Sequence, residues 1–372
     1  MSEGSIQSNK ISTLKRIFSF FKGQRKKVTF LLFLIISAQI ANISVPFISK
    51  ILIDSLTLFI TKGGIFPWHI LIYSALGILV LTLTGNMLQT AYNYNLFNMV
   101  TKIEDRLRNK ALDKYLQLHS LFHHGASSGQ IIGRIDRGGT SVYSVLYEII
   151  GQNFVPPIII FLGAFTVLLY SNIWIALTVL IPFPIYLLAT RKIANRIFLI
   201  EQEANDAFEA ISREMYDVAS NVLTVKKFSQ EEIETHNHRE LMAKARTIQY
   251  NAERLWQRIE NIQAVISTTS RVAVLALSSW FVLNGTATIG QFVFYITLQH
   301  MAYQPLSSLG TLFTRLRRNM TRVGRVFLIL DEPLHVVDSP NATDLSPLKK
   351  QIEFKNVSFS YHNDNRYALN NI

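Results

Sequence analysis

Apolar segments long enough to cross a bilayer recur along this chain, and the turns between them are spaced too widely for ordinary membrane hairpins. A spanning helix needs about 20 mostly apolar residues. Segments 28–58, 68–90, 154–170, 173–189, 267–283 and 289–312 qualify, the last interrupted by Gln299, His300 and Gln304. Turn-forming stretches fall near 63, 124, 172, 232 and 286. Their separations correspond to helices of ~80 Å, against ~30 Å of hydrocarbon. The helices must therefore run far out of the membrane on one side. The extensions at 102–118 and 196–225 suit this, being rich in Ala, Glu, Arg and Leu and free of proline.

Charge says which side. Only 17% of residues are charged and 49% are apolar, yet the net charge is +12. Lys and Arg concentrate at 10–27, 102–137, 191–258 and 315–325, whereas the opposite connections at 59–67, 171–172 and 284–288 hold one lysine, Lys62. The positive-inside rule makes the basic side cytoplasmic, both termini included. Trp68, Trp174 and Trp280 lie beside the three outer turns, where amphipathic rings favour the interface. The positive charge thus reports orientation and contact with anionic lipid rather than nucleic acid. No cysteine is present, which excludes disulfides, thiolate metal sites and a cysteine nucleophile. Neither His123-His124 nor His236/His238 has helix-borne metal-site spacing with a carboxylate nearby, so no metal site is expected.

Four regions follow. Residues 1–27 form a cytoplasmic segment with an interfacial amphipathic helix at 11–22, and 28–330 a six-helix membrane domain. Residues 331–350, with three prolines, read as a linker. Residues 351–372 open a soluble domain with an alternating strand at 352–360, its phase shifting at Lys355-Asn356 as at a bulge or bend.

Several stretches, in this order and at these spacings, resemble the ABC exporter half-transporter. They are Val45-Pro-Phe-Ile-Ser-Lys-Ile-Leu-Ile-Asp54, Ser128-Gly-Gln-Ile-Ile-Gly-Arg134, Thr224-Val-Lys-Lys-Phe228, Thr288-Ile-Gly-Gln-Phe292, Gln304-Pro-Leu306 and Arg322-Val-Gly-Arg-Val-Phe-Leu-Ile-Leu-Asp-Glu332. Where most members carry an acidic residue four positions after the arginine matching Arg134, this chain has Gly138, in a run similar to the mitochondrial-type and heavy-metal exporter branch. The resemblance implies an all-α polytopic membrane protein of six long helices with cytoplasmic extensions, then the first β-strand of an α/β nucleotide-binding domain. It implies export of an unidentified substrate by alternating access, driven by ATP and Mg in the full-length protein. The partner implied is a second transporter half, identical or sister, within membrane lipid; a bacterial plasma membrane is the first location expected and an organelle inner membrane the second.

The resemblance also assigns residues. Tyr361 would stack on adenine, an interaction worth about 1–3 kcal/mol by analogy with base stacking. The inner turns, with Leu118, Phe122 and His123 in the first and Phe228, Glu231 and Glu232 in the second, would be coupling helices pressing on the motor domains. The stretch contains no G-x-x-x-x-G-K-[ST] and no LSGGQ-like signature, so by itself it is expected neither to hydrolyse ATP nor to bind it well, and the soluble domain is expected to be cut short.

Polar residues inside apolar spans mark the candidate path. Arg271 lies 12 residues before Leu283, ~18 Å along the axis from the outer end, and an intramembrane arginine is costly unless it faces a cavity or a partner. It either lines the path, pairs with an acid such as Glu148, or snorkels toward the interface. Asn86, Gln89, Gln152, Gln299, His300 and Gln304 suggest a polar cavity face, or individual interhelical hydrogen bonds. Lys50 and Asp54, four apart, are expected to neutralise each other. A motor-less regulatory or anchor module and a gated channel remain alternatives; a channel would need a filter loop or continuous pore pattern.

Overall fold

The computed structural model describes residues 13, 16–17, 19–21, 23–63, 68–119, 122–123, 128–304, 309–334, 341–342, 347, 351–360 and 367–372. Among these the chain is helical almost throughout. In order come α1 (Arg25–Lys62), α2 (Trp68–Gln117), α3 (Ser128–Tyr143), a π-helical stretch (Ser144–Gln152), α4 (Val155–Ser171), α5 (Ile173–Leu180), α6 (Pro182–Ser220), α7 (Val222–Lys227), α8 (Glu231–Leu283), α9 (Ile289–Tyr303) and α10 (Leu309–Asp331).

Each outer turn is a local chemical stop. Gly63 ends α1 at φ 69. Asn172 caps α5, its side chain accepting from Trp174 N (3.0 Å) and Ile175 N (3.2 Å). Gly285, at φ 69, follows α8, and Thr288 with Gln291 forms a capping box at the start of α9. Between stops the helices are very long: α2 has 50 residues and α8 has 53, lengths of ~75–80 Å.

Two packing regimes share these helices. Near the inner end, Tyr92, Leu96, Met99, Val100, Ile103, Leu107, Ala111 and Tyr115 form a buried stripe on α2, packed against α3 and the apolar face of α10. The three-and-four spacing is that of an amphipathic helix burying its core in water. Toward the outer end the same helix shows Tyr73, Leu76, Leu79, Val80, Leu83 and Met87 to the outside. Outward apolar faces of this length are tolerated where the solvent is lipid. A second core joins α4, α5, α6, α8 and α9 around Ala164, Leu168, Ile175, Val179, Val274 and Leu298. Beyond it α6 and α8 continue side by side as one arm, joined at the far tip by α7.

Among the described residues, five helical segments are long and apolar enough to cross a membrane: Arg25–Lys62, Trp68–Gln117, Ser128–Ser171, Ile173–Ser220 and Glu231–Leu283. The sixth expected span does not meet that standard. Its region holds the 15-residue α9, ~22 Å long, and then the strongly amphipathic α10. Gln299, His300 and Gln304 lower the apolarity.

The expected strand at 352–360 is likewise reduced. Phe359 and Leu369 form one isolated antiparallel bridge, with Phe359 N to Leu369 O at 2.8 Å and Val357 N to Ile372 O at 2.8 Å. Asn356 lies at φ 53, within the stretch where the alternation shifts phase. A left-handed residue swings the chain out of an extended ladder.

Candidate functional site

A cavity of about 430 Å3 opens between α6, α8 and α9. Its floor is one face of α8, on which Gln263, Ser267 and Arg271 recur every four residues. His300, Tyr303 and Gln304 come from α9 and its C-terminal cap, and Tyr186 from α6. Three of the expected path residues, Arg271, His300 and Gln304, thus meet in one place.

The charge of Arg271 is handled unusually. A guanidinium Nη2 of Arg271 lies 3.0 Å from His300 Nδ1. Guanidinium nitrogens only donate, so Nδ1 accepts and the proton of a neutral imidazole resides on Nε2. Among the described residues no carboxylate pairs with Arg271. Glu260 also lines the cavity, eleven residues or ~16 Å along the axis from Arg271. The end of the cavity at Arg271 is therefore cationic, and an uncompensated charge there attracts an anion.

The remaining polar groups fix the walls. Gln263 Nε2 reaches Thr190 Oγ1 at 3.4 Å, and Tyr303 OH donates to Val179 O at 2.9 Å. Gln299 is fully buried behind the cavity, with Nε2 donating to Ser267 O at 3.2 Å and Oε1 unpartnered among the described residues. Sequence reading missed Tyr186, Gln263, Ser267 and Tyr303. The four-residue recurrence of Gln263, Ser267 and Arg271 was the signal available for two of them.

Other expected path residues lie elsewhere. Gln89 bonds Gln39 of α1 at 3.0 Å and Asn93 at 3.3 Å, an interhelical network. Asn86 is exposed on α2 and Gln152 half-buried at the end of the π-helical stretch. The pairing considered between Arg271 and Glu148 is not made: Glu148 holds Arg315 of α10 at 2.6 Å and accepts from Ser144 at 2.7 Å. Nor do Lys50 and Asp54 pair. Asp54 accepts from Gly290 N at 2.8 Å, capping α9 from α1, and Lys50 lies over the Phe47 ring. A helix N-terminus offers Asp54 free N–H donors and a favourable dipole, which the neighbouring lysine does not.

At the inner tips, Leu118 is buried, Phe122 packs on the core, and His123 Nε2 lies 3.2 Å from Leu118 O, with its ring against Tyr115. At the second tip a short helix spans Val222–Lys227, and Glu231 and Glu232 open the first turn of α8. Phe228 is 70% exposed, beside exposed Leu223 and Ile233. The Glu231 carboxyl is held below its ordinary range, first by the backbone N–H at the start of α8 and then by Lys226 at 3.2 Å. An apolar rim at a water-side tip is an interaction surface. Among the described residues no group of three metal-ligating side chains occurs. Tyr361 lies outside the described residues.

Comparison with known proteins agrees with this architecture. Residues 28–306 match the model of the ABC transporter transmembrane region. The rat ATP-binding cassette sub-family B member 6 is 26% identical over 269 residues, 71% of this chain and 32% of the relative. An ATM1-type heavy metal exporter from Novosphingobium aromaticivorans is 25% identical over 348 residues, 91% of this chain and 56% of the relative. The solved structure of a bacterial Atm1-family ABC exporter with ATP bound superposes with a TM-score of 0.71 at 20% identity, covering 94% of this chain and 60% of that one. The chain thus spans between about a third and three fifths of these proteins' lengths. With its outward apolar helices and the match across most of its length, the chain belongs to the family of ABC transporter transmembrane regions.

Proposed function

We propose that this chain is the membrane-spanning part of an ABC exporter of the mitochondrial-type branch, and that its cargo passes the cavity around Arg271, His300 and Gln304. The observation that carries this reading is the intramembrane guanidinium of Arg271, met by a neutral imidazole and no carboxylate. A structural arginine at that depth would be paired; a cationic cavity at that depth suits a ligand that brings the negative charge. A bare metal cation would meet like charge there, so a metal cargo, the class printed in the Novosphingobium relative's name, would travel as an anionic complex. The engine is a nucleotide-binding domain carried by the full-length protein, where Tyr361 stacks on adenine and ATP with Mg draws two motor domains together. The tips at Leu118–His123 and Val222–Glu232 transmit that closure, and a second transporter half completes the path.

Sidedness of access tests the proposal. Residues 1–372 hold no cysteine, so in a full-length protein with any cysteine outside them replaced by serine, Ser267→Cys gives one label site per chain in the cavity. In oriented proteoliposomes a membrane-impermeant maleimide should reach it from the cytoplasmic side without nucleotide, and from the outer side with ATP and Mg when hydrolysis is blocked. Access from one side regardless of nucleotide would contradict alternating access and favour a motor-less module. Simultaneous access from both sides would favour a gated channel.

A further inference from the structure

α6 and α10 lie against each other over part of their length. They meet at Phe198, where the Arg317 guanidinium lies 3.7 Å from the ring centre. Further along they border a cavity of about 450 Å3. Its α6 wall carries Asp206 and Glu209, three residues apart, and its α10 wall carries Arg318, Arg322 and Arg325 at spacings of four and three. Such spacings put each set on one stripe of its helix. The walls are of opposite sign and face one another, yet among the described residues none of these five side chains makes an ion pair.

The α10 wall is electrostatically crowded. The Arg322 guanidinium is held below its ordinary value by partial burial, then by Arg318, Arg137 of α3 and Arg325. Glu201, nearer the membrane, is already engaged with the Trp256 indole of α8 at 3.1 Å. Complementary charge is therefore poised across a gap, with Arg317 on Phe198 as the pivot. One exposed ion pair contributes little, but several closing on the same hinge act together.

We propose that these walls form a charge zipper: Asp206 and Glu209 of α6 pair with Arg318, Arg322 and Arg325 of α10 when the cytoplasmic ends of the two helices approach, holding the inner mouth closed. The device is independent of which cargo the membrane cavity takes.

Distance measurement tests it on the full-length protein in lipid nanodiscs. Nitroxides at Ser212→Cys, on the α6 wall, and Leu328→Cys, exposed one turn past Arg325, report the gap. Labelled chains diluted with unlabelled ones make the intrachain distance dominate. The zipper predicts a short-distance population that Arg318→Glu with Arg322→Glu lowers roughly three- to tenfold relative to the long one. Adding Asp206→Arg with Glu209→Arg should restore it. An unchanged distribution in the folded reversed chain, or no restoration by the swap, overturns the proposal. The labelled chain without wall substitutions gives a second readout that needs no charge variant to fold. Raising salt from 0.1 M to 1 M cuts the screening length from about 10 Å to about 3 Å and should deplete the short population; a distribution insensitive to salt also overturns the zipper.

Discussion

At Gly138 a side chain has no room. A Cβ there would overlap the side chain of Val326, fully buried on α10, so glycine sets how closely α3 and α10 approach. This gives the departure from the acidic residue common at this position a packing reason. Gly138→Ala should destabilise the inner bundle by about 1–3 kcal/mol through overpacking. Denaturant unfolding of the variant measures this, with Gly133→Ala, where the nearest atoms belong to the flexible Arg137 side chain, as a milder control. Glu148 makes the opposite case, an attractive pair across the same interface. Both it and Arg315 are more than a third exposed, so a double-mutant cycle with Glu148→Gln and Arg315→Gln should return a coupling of about 1 kcal/mol or less. The residue types at these sites were legible in the sequence, but their partners were not. Arg271 meets a histidine 29 residues away and Glu148 an arginine 167 away. Such pairs depend on how helices rotate against one another, which local spacing does not encode.

Elements were more legible than contacts. The outer turns fall at Gly63, Asn172 and Gly285 because each ends a helix by its own chemistry, and the inner extensions are helical because nothing breaks them for tens of residues. The last span was less legible because polarity and a proline fall where an apolar run would be needed, leaving the short α9 and the amphipathic α10. At the inner tip α7 shares its helical composition with the long helices around it, so its bounds were not legible. There the sign of a pH effect follows from Glu231. Its folded carboxyl is depressed, so its contribution is present above the ordinary carboxylate value of about 4.3 and is lost as pH falls through the lower folded value. Protection from hydrogen exchange in the first turn of α8 should therefore persist through the ordinary carboxylate range and fall only below it. In a Glu231→Gln chain the tip should show no such step. In the bundle core, Leu107→Ala removes a fully buried α2 side chain and should cost about 2–5 kcal/mol, read as faster exchange in α2 and α3 together.

The whole molecule divides into an inner bundle of α1, α2, α3 and α10, a membrane-level core of α4, α5, α6, α8 and α9, and the α6–α8 arm. The cavity at Arg271 lies in the second and the charged cleft below it, between arm and bundle. In the proposed reading, the polar chamber at Arg271 takes the cargo and the charged cleft closes the inner mouth. On that same proposed reading the chamber selects for negative charge through Arg271. The most direct measurement compares reaction rates of the Ser267→Cys full-length protein with an anionic and a cationic methanethiosulfonate of similar size. The anionic reagent should react about three- to tenfold faster, a preference that Arg271→Gln abolishes and Arg271→Lys retains. Equal rates with Arg271 in place, or a preference unchanged by Arg271→Gln, would contradict the account.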